Sequence, residues 1–194
     1  MASKDEPADT RQRILHVTLR LIGEHGIAAV SNRRIAAEAN VALGSLTYHF
    51  PSQTELLRES LLLHVSDEVA RVTAIARELR SSKHDLSRIA SEVERVVERS
   101  ADDYGTGAEL ELHLHAARDV ELRDASWRCF AAYEDFAAAV LEALDVPDPE
   151  RYARAVVALI TGLAVRRLGT GQRDATGTAD ALLAIVLGAR PQSS

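Results

Sequence analysis

Residues 31–55 read SNRRIAAEANVALGSLTYHFPSQTE, and their division into elements decides the fold. Ser31 offers a side-chain oxygen to cap a short helix that turns Ile35, Ala36 and Ala39 inward. Asn40 follows, at the point where a tight turn between two helices wants a positive φ, which Asn tolerates better than other residues with a side chain. The next helix, about Leu43 to Phe50, is too short to stand alone and must be held through Leu46 and Phe50, one turn apart on one face. At about 100° per residue, Gly44, Ser45 and Tyr48 point away from Leu46, with Thr47 and His49 flanking them. Pro51 closes this helix. Ser52 and Glu55 then have the spacing of a capping box, opening a long helix towards Arg80.

Working outward, Ile14, Val17, Thr18, Leu21 and Ile22 recur at helical spacing, with Gly26 placed for a positive-φ cap. The polar residues 1–9 before them read as a disordered tail. Beyond Arg80 the chain reads as helix after helix, with breaks expected at Ser81 to His84, around Tyr104-Gly105-Thr106-Gly107, at Arg118 to Glu121, at Asp145 to Pro149 and at Gly169 to Gly177. Asp148-Pro149-Glu150 has the signature of a helix start: an N-cap carboxylate, a proline in the first turn and an acid at the positive end of the dipole. Apolar residues are 46% of the chain and aromatics only 4%, with Ala, Leu and Val dominant, which favours packed helices over sheets. The expectation is an all-α chain of about nine helices: a helix-turn-helix head over 10–52 and a helical body over 53–190.

Net charge is −6, which alone opposes nucleic-acid binding, yet residues 10–54 carry Arg11, Arg13, Arg20, Arg33 and Arg34 against only Glu24 and Glu38. A basic head therefore sits on an acidic body, whose Glu92, Glu94, Glu98, Asp102 and Asp103 repel stray DNA. Cys129 is the single cysteine, so no disulfide within the chain and no cysteine-based metal cluster is expected, and a cytoplasmic setting is natural. No apolar run approaches the ~20 residues of a membrane span. His113 and His115, two apart, diverge on a helix and cannot share a metal, and no cofactor is expected. No G-x-S-x-G, H-E-x-x-H or GK[ST] pattern occurs, so enzymatic activity is not expected.

Arg34-Ile35-Ala36-Ala37-Glu38-Ala39-Asn40-Val41 followed by Gly44-Ser45-Leu46-Thr47-Tyr48-His49-Phe50-Pro51-Ser52 resembles the DNA-binding signature of the TetR/AcrR family. The likeness runs from about Ile14 to Leu57. It implies a homodimer on a palindromic double-stranded operator, usually a repressor, that releases DNA when a small molecule enters the body. By position, Ser45, Tyr48 and His49 would face bases or phosphates beside Gly44, Arg33 and Thr47 would approach the backbone, and Ser31 would lie near a phosphate. The family commonly has Tyr in place of Thr47, Lys in place of Gln53 and Gly in place of Asn40. The first two changes remove usual phosphate contacts, which leaves open a helical partner- or ligand-binding protein with weakened DNA affinity.

In the body, His64, Tyr104, His113, His115, Arg118, Trp127 and Tyr133 are the polar or aromatic residues among apolar positions that could orient a small-molecule effector. Two final helices, about Glu150 to Leu168 and Thr178 to Ala189, are apolar over more than one face. A second copy of the same pair would cover them, through Val156, Leu159, Ile160, Leu163, Leu182, Leu183 and Val186.

Overall fold

The computed structural model describes residues 6–81, 88, 91, 93 and 103–171. Among them are seven α-helices and no strand: α1 (Glu6–His25), α2 (Asn32–Glu38), α3 (Leu43–His49), α4 (Gln53–Ser81), α5 (Asp103–Ala116), α6 (Val120–Ala143) and α7 (Pro149–Thr170), with a 3-10 turn at Ile27–Ala29. The expected helix over 178–189, with Ala181, Leu182, Leu183 and Val186, lies outside the described residues. None of the described helices is long and apolar enough to cross a membrane.

The chain forms two compact units, 1–66 with 103–126 and 67–102 with 127–194, and the division falls inside α4 and inside α6. The first unit is larger than the expected head because α5 packs on α1. An added Cβ on Gly107 would lie 2.5 Å from the Gly23 carbonyl oxygen, so the two helix backbones touch there. This overturns the expected break at Tyr104 to Gly107. Gly105, Thr106 and Gly107 lie within α5, and at Gly107 the missing side chain serves helix–helix approach rather than a loop. The Glu111 carboxylate of α5 accepts from Ile27 N at 3.1 Å, just past Gly26, whose φ of 75° and ψ of 159° suit glycine alone. Arg58 of α4 donates to Asp119 at 2.8 Å, and the Asp119 carboxylate accepts Glu121 N at 3.0 Å and Leu122 N at 3.3 Å, capping α6. The core of this unit holds Ile14, Leu21, Ile22, Ile35, Leu46, Phe50, Leu56, Leu61 and Leu112, all essentially without solvent contact. Buried Thr18 and Ser60 each donate to the carbonyl four residues back, at 2.8 Å, so neither hydroxyl is left unsatisfied.

In the second unit, Val72, Ala76 and Leu79 of α4 pack on Ala132, Phe136 and Ala139 of α6. A further cluster joins Ala137, Ala138 and Leu141 of α6 through Val146 to Ala153, Val156 and Val157 of α7. The turn between α6 and α7 differs from expectation. Asp148 precedes Pro149 as foreseen, but at φ 51° and ψ 54° its side chain makes no capping bond, and its carbonyl accepts from Arg151 N at 3.0 Å. Glu6 to Asp9, expected in the tail, instead lie in α1. Helix begins at Glu6, with Pro7 tolerated in the first turn and Asp9 paired to Arg13 at 3.2 Å.

Candidate nucleic-acid interface

Ser31 caps α2 as its sequence position foretells, its Oγ accepting from Arg34 N at 3.3 Å. At the other end Asn40 takes φ 53°. Val41 N bonds Ala36 O at 3.0 Å and Asn40 N bonds Ala37 O at 3.2 Å, the paired bonds of a left-handed helix stop. The Asn40 turn then redirects the chain into α3. Leu46 and Phe50 are 0% and 1% exposed and fix α3 against the core, whereas Tyr48 is 83% exposed on the opposite side. Gly44 and Thr47 are exposed beside it, and Ser45 and His49 are half-exposed. The Tyr48 and His49 rings meet edge to face at 5.4 Å, which keeps the two groups together on that surface. A Cβ on Gly44 would meet nothing within 4 Å, so this part of α3 has clear space in front of it.

The head's positive charge is less available than the count of arginines suggests. Arg11 pairs with Glu59 and lies 5.0 Å over the Phe50 ring. Arg13 pairs with Asp9 and donates to Ala39 O at 3.1 Å. Arg20 pairs with Glu24 and Glu38, and Arg34 with Glu38 at 3.3 Å. Hydrogen bonds from Arg20 first, and then from Arg34, hold the Glu38 carboxyl below the usual range. Arg33 is exposed and has no hydrogen bond or ion pair among the described residues. Of the arginine pair at 33 and 34, Arg33 is thus the one offered outward.

The two departures that remove usual phosphate contacts have structural counterparts. The Thr47 hydroxyl lies within hydrogen-bond distance of Leu43 O at 3.2 Å and Gly44 O at 3.0 Å, so it is turned back on its own helix. Gln53 donates its amide to Val30 O at 2.6 Å, tying the start of α4 to the residue before the α2 cap.

The residues expected to receive an effector are divided between the two units. His64 and His113 belong to the first unit and Trp127 and Tyr133 to the second, and the Tyr104 side chain lies outside the described residues. His113 is a link between α5 and α6, its Nδ1 2.8 Å from Ser126 Oγ. His115 lies with Nδ1 3.0 Å from Glu111 O of its own helix, and Arg118 is exposed. Trp127 is 69% exposed, because the buried face of α6 runs through Leu122, Ala125, Cys129, Ala132 and Phe136 and misses it. Tyr133 is half-buried and donates to Glu68 at 2.7 Å. Glu68 also pairs with Arg71, and its carboxylate, which composition did not single out, is 12% exposed.

Among the expected dimer residues, Val156 is 8% exposed and packs in the cluster that joins α6 and α7. Leu159, Ile160 and Leu163 are half-buried, with Ile160 against the same cluster. The outward side of α7 instead presents Ala155, Ala158, Gly162 and Val165, a flat row at helical spacing that hydrophobic counting passes over.

Comparison with known proteins agrees with this geometry. Residues 14–60 match the model of bacterial regulatory proteins, tetR family, and residues 84–189 match that of the tetracyclin repressor-like C-terminal domain. The HTH-type transcriptional regulator AcrR of Shigella flexneri is 39% identical over 57 residues, which is 29% of this chain and 26% of that one, so this match spans about a quarter of that regulator. Whole-length likeness comes from solved structures. A TetR-family member from Streptomyces coelicolor A3 is 32% identical with a TM-score of 0.67, covering 91% of this chain and 97% of that one. The multidrug binding protein EbrR, solved with imidazole, is 33% identical with a TM-score of 0.62, covering 95% and 96%; it was also solved with proflavin and with ethidium. With one model matched over the head and another over more than half of the chain, the chain belongs to the TetR family of bacterial regulatory proteins.

Proposed function

We propose that this chain is a homodimeric transcriptional regulator that represses from a palindromic operator and lets go when a small molecule binds its body. The observation that carries the reading is α3: anchored by fully buried Leu46 and Phe50, it holds Gly44, Ser45, Tyr48 and His49 on a side that the chain leaves open. A helix held this way behind a tight turn is the major-groove reader of a helix-turn-helix. Arg33 and the backbone amides near Ser31 supply phosphate contacts. The row Ala155, Ala158, Gly162 and Val165 on α7 supports pairing of two protomers through close helix packing, with Leu159 and Leu163 at its margin. Back-bonded Thr47 and tied Gln53 support weaker non-specific affinity than a Tyr and Lys would give.

For the effector, the favoured class is an organic cation. EbrR was solved with proflavin and ethidium, and here the Tyr133 hydroxyl donates to the Glu68 carboxylate in the second unit, an aromatic residue joined to an acid. Arg71 is the internal cation that such a guest replaces as Glu68's partner. Only a guest with higher affinity for the DNA-free state shifts the equilibrium.

The test is fluorescence anisotropy with the duplex upstream of the chain's own gene over a salt series. The wild-type protein is expected to bind with a steep salt dependence, Tyr48→Ala to lose specific binding, and Arg33→Ala to flatten the slope by about one unit. A binding curve indifferent to salt and to both substitutions contradicts the reading. Ethidium fluorescence titration tests the effector class: Glu68→Gln should weaken binding about tenfold, from the ~1.5 kcal/mol of a charged contact, and unchanged binding removes Glu68 from the site.

A further inference from the structure

α3 has a feature that its polar face does not explain. Leu43, 43% exposed, is one of the few large apolar side chains the first unit leaves in water, and it stands one turn from Thr47 on the same edge of the helix. Because the Thr47 hydroxyl is turned back to Leu43 O and Gly44 O, the group that Thr47 offers outward is its methyl. Ala42, just before Leu43, is exposed as well, and Gly44 has open space where a side chain would be. The edge is thus apolar and unobstructed on a helix whose other open face carries the hydroxyls of Ser45 and Tyr48 and the imidazole of His49.

An exposed leucine adds no helix stability that Lys or Gln would not match. In a major-groove helix it has a chemical use. Among the four base-pair orientations, the one apolar feature on the groove edge is the 5-methyl of thymine, which side chains read by van der Waals contact and by excluding water. Leu43 has no side-chain hydrogen-bonding group to offer guanine, adenine or cytosine in its place, and the Thr47 hydroxyl commits its proton to its own helix. Resting on the DNA-binding reading above, we propose that the Leu43–Thr47 edge is a thymine-methyl reader, and that each half-site of the operator carries a thymine under it. Ser45, Tyr48 and His49 then read polar base edges and phosphates alongside, and Leu43 joins them as a specificity-determining residue.

The experiment uses the full chain and double-stranded DNA enriched by it from a randomised pool. In the enriched duplex, thymines are replaced one at a time by deoxyuracil, which removes the methyl and keeps base pairing. One symmetric pair of thymines is expected to matter. Removing both methyls should weaken wild-type binding about fifteenfold, since burying one methyl-sized group changes an equilibrium roughly fourfold and the operator holds two. Leu43→Ala, an exposed site at which folding is checked by circular dichroism, should bind more weakly than wild type and be nearly insensitive to the same replacement. Leu43→Gln should shift the enriched sequence away from thymine there. An enriched duplex whose binding is unmoved by every deoxyuracil replacement overturns the thymine reader while leaving DNA binding intact. A pool from which no duplex is enriched overturns both.

Discussion

Gly107→Ala is the sharpest test of how α5 joins the head. The added Cβ would lie 2.5 Å from the Gly23 carbonyl oxygen and 3.2 Å from that residue's carbonyl carbon and Cα, all backbone atoms that cannot rotate away. Carbon–oxygen contacts of this type settle at about 3.3–3.6 Å, so α1 and α5 must part by roughly 0.8 Å. A gap of that size forfeits about a quarter to a half of each affected dispersion contact, and it pulls on the Glu111 to Ile27 hydrogen bond. Overpacking costs about 1–3 kcal/mol, while the better helix propensity of alanine returns up to ~1 kcal/mol. With the full offset, the net expectation is a loss of up to about 2 kcal/mol. Urea denaturation at fixed protein concentration should show the midpoint falling by roughly 0.5 M with an unchanged slope, taking a slope near 2–3 kcal/mol/M. A midpoint that rises, as for an ordinary exposed helical glycine, would refute the close approach.

Further expectations follow from the same geometry. Gly44→Ala has open space, so it should raise stability by up to ~1 kcal/mol while reducing DNA affinity by keeping α3 back from the groove; denaturation and anisotropy on one preparation check both. Gln53→Lys should strengthen non-specific binding and steepen the salt slope by about 0.9, one phosphate contact, with a slope indistinguishable from wild type as the contrary result. The Asp119 carboxyl is held below its ordinary range, first by the hydrogen bond from Arg58 and also by the Leu122 and Glu121 amides. Because its folded pKa is lowered, its stabilisation is fully present above about pH 4, the unfolded value, and disappears as pH falls through the lower folded value. The stability difference between wild type and Asp119→Asn should therefore be constant near neutrality and close in acid; a difference that grows in acid would contradict the assignment.

Which of these features could be read from residues alone follows a physical division. Local chemistry was legible: Ser31 caps α2, Asn40 takes the positive φ of the turn, and Leu46 with Phe50 sets which side of α3 faces out. These depend on neighbours within a few positions. Features set by distant partners were not. Gly105-Thr106-Gly107 has the composition of a loop, but Gly23, 84 residues away, makes Gly107 a helix-contact glycine. The burial of Val156 and the exposure of Trp127 are set by the register of α7 and α6, which residue type does not give. Counting arginines overstated the head's free charge, because Glu59 and Asp9 lie outside the counted stretch yet pair with Arg11 and Arg13. Asp148 shows the limit of a cap motif: the right residue stands in the right place, and a left-handed backbone still carries its carboxylate away from the amides.

Whether two copies of α3 enter successive major grooves of one duplex is read by hydroxyl-radical footprinting of this chain on its enriched duplex. Two symmetric protected patches are expected, their centres about 10–10.5 base pairs, or 34–36 Å, apart, both disappearing with Tyr48→Ala. A single patch, or protection that persists in that variant, would contradict it.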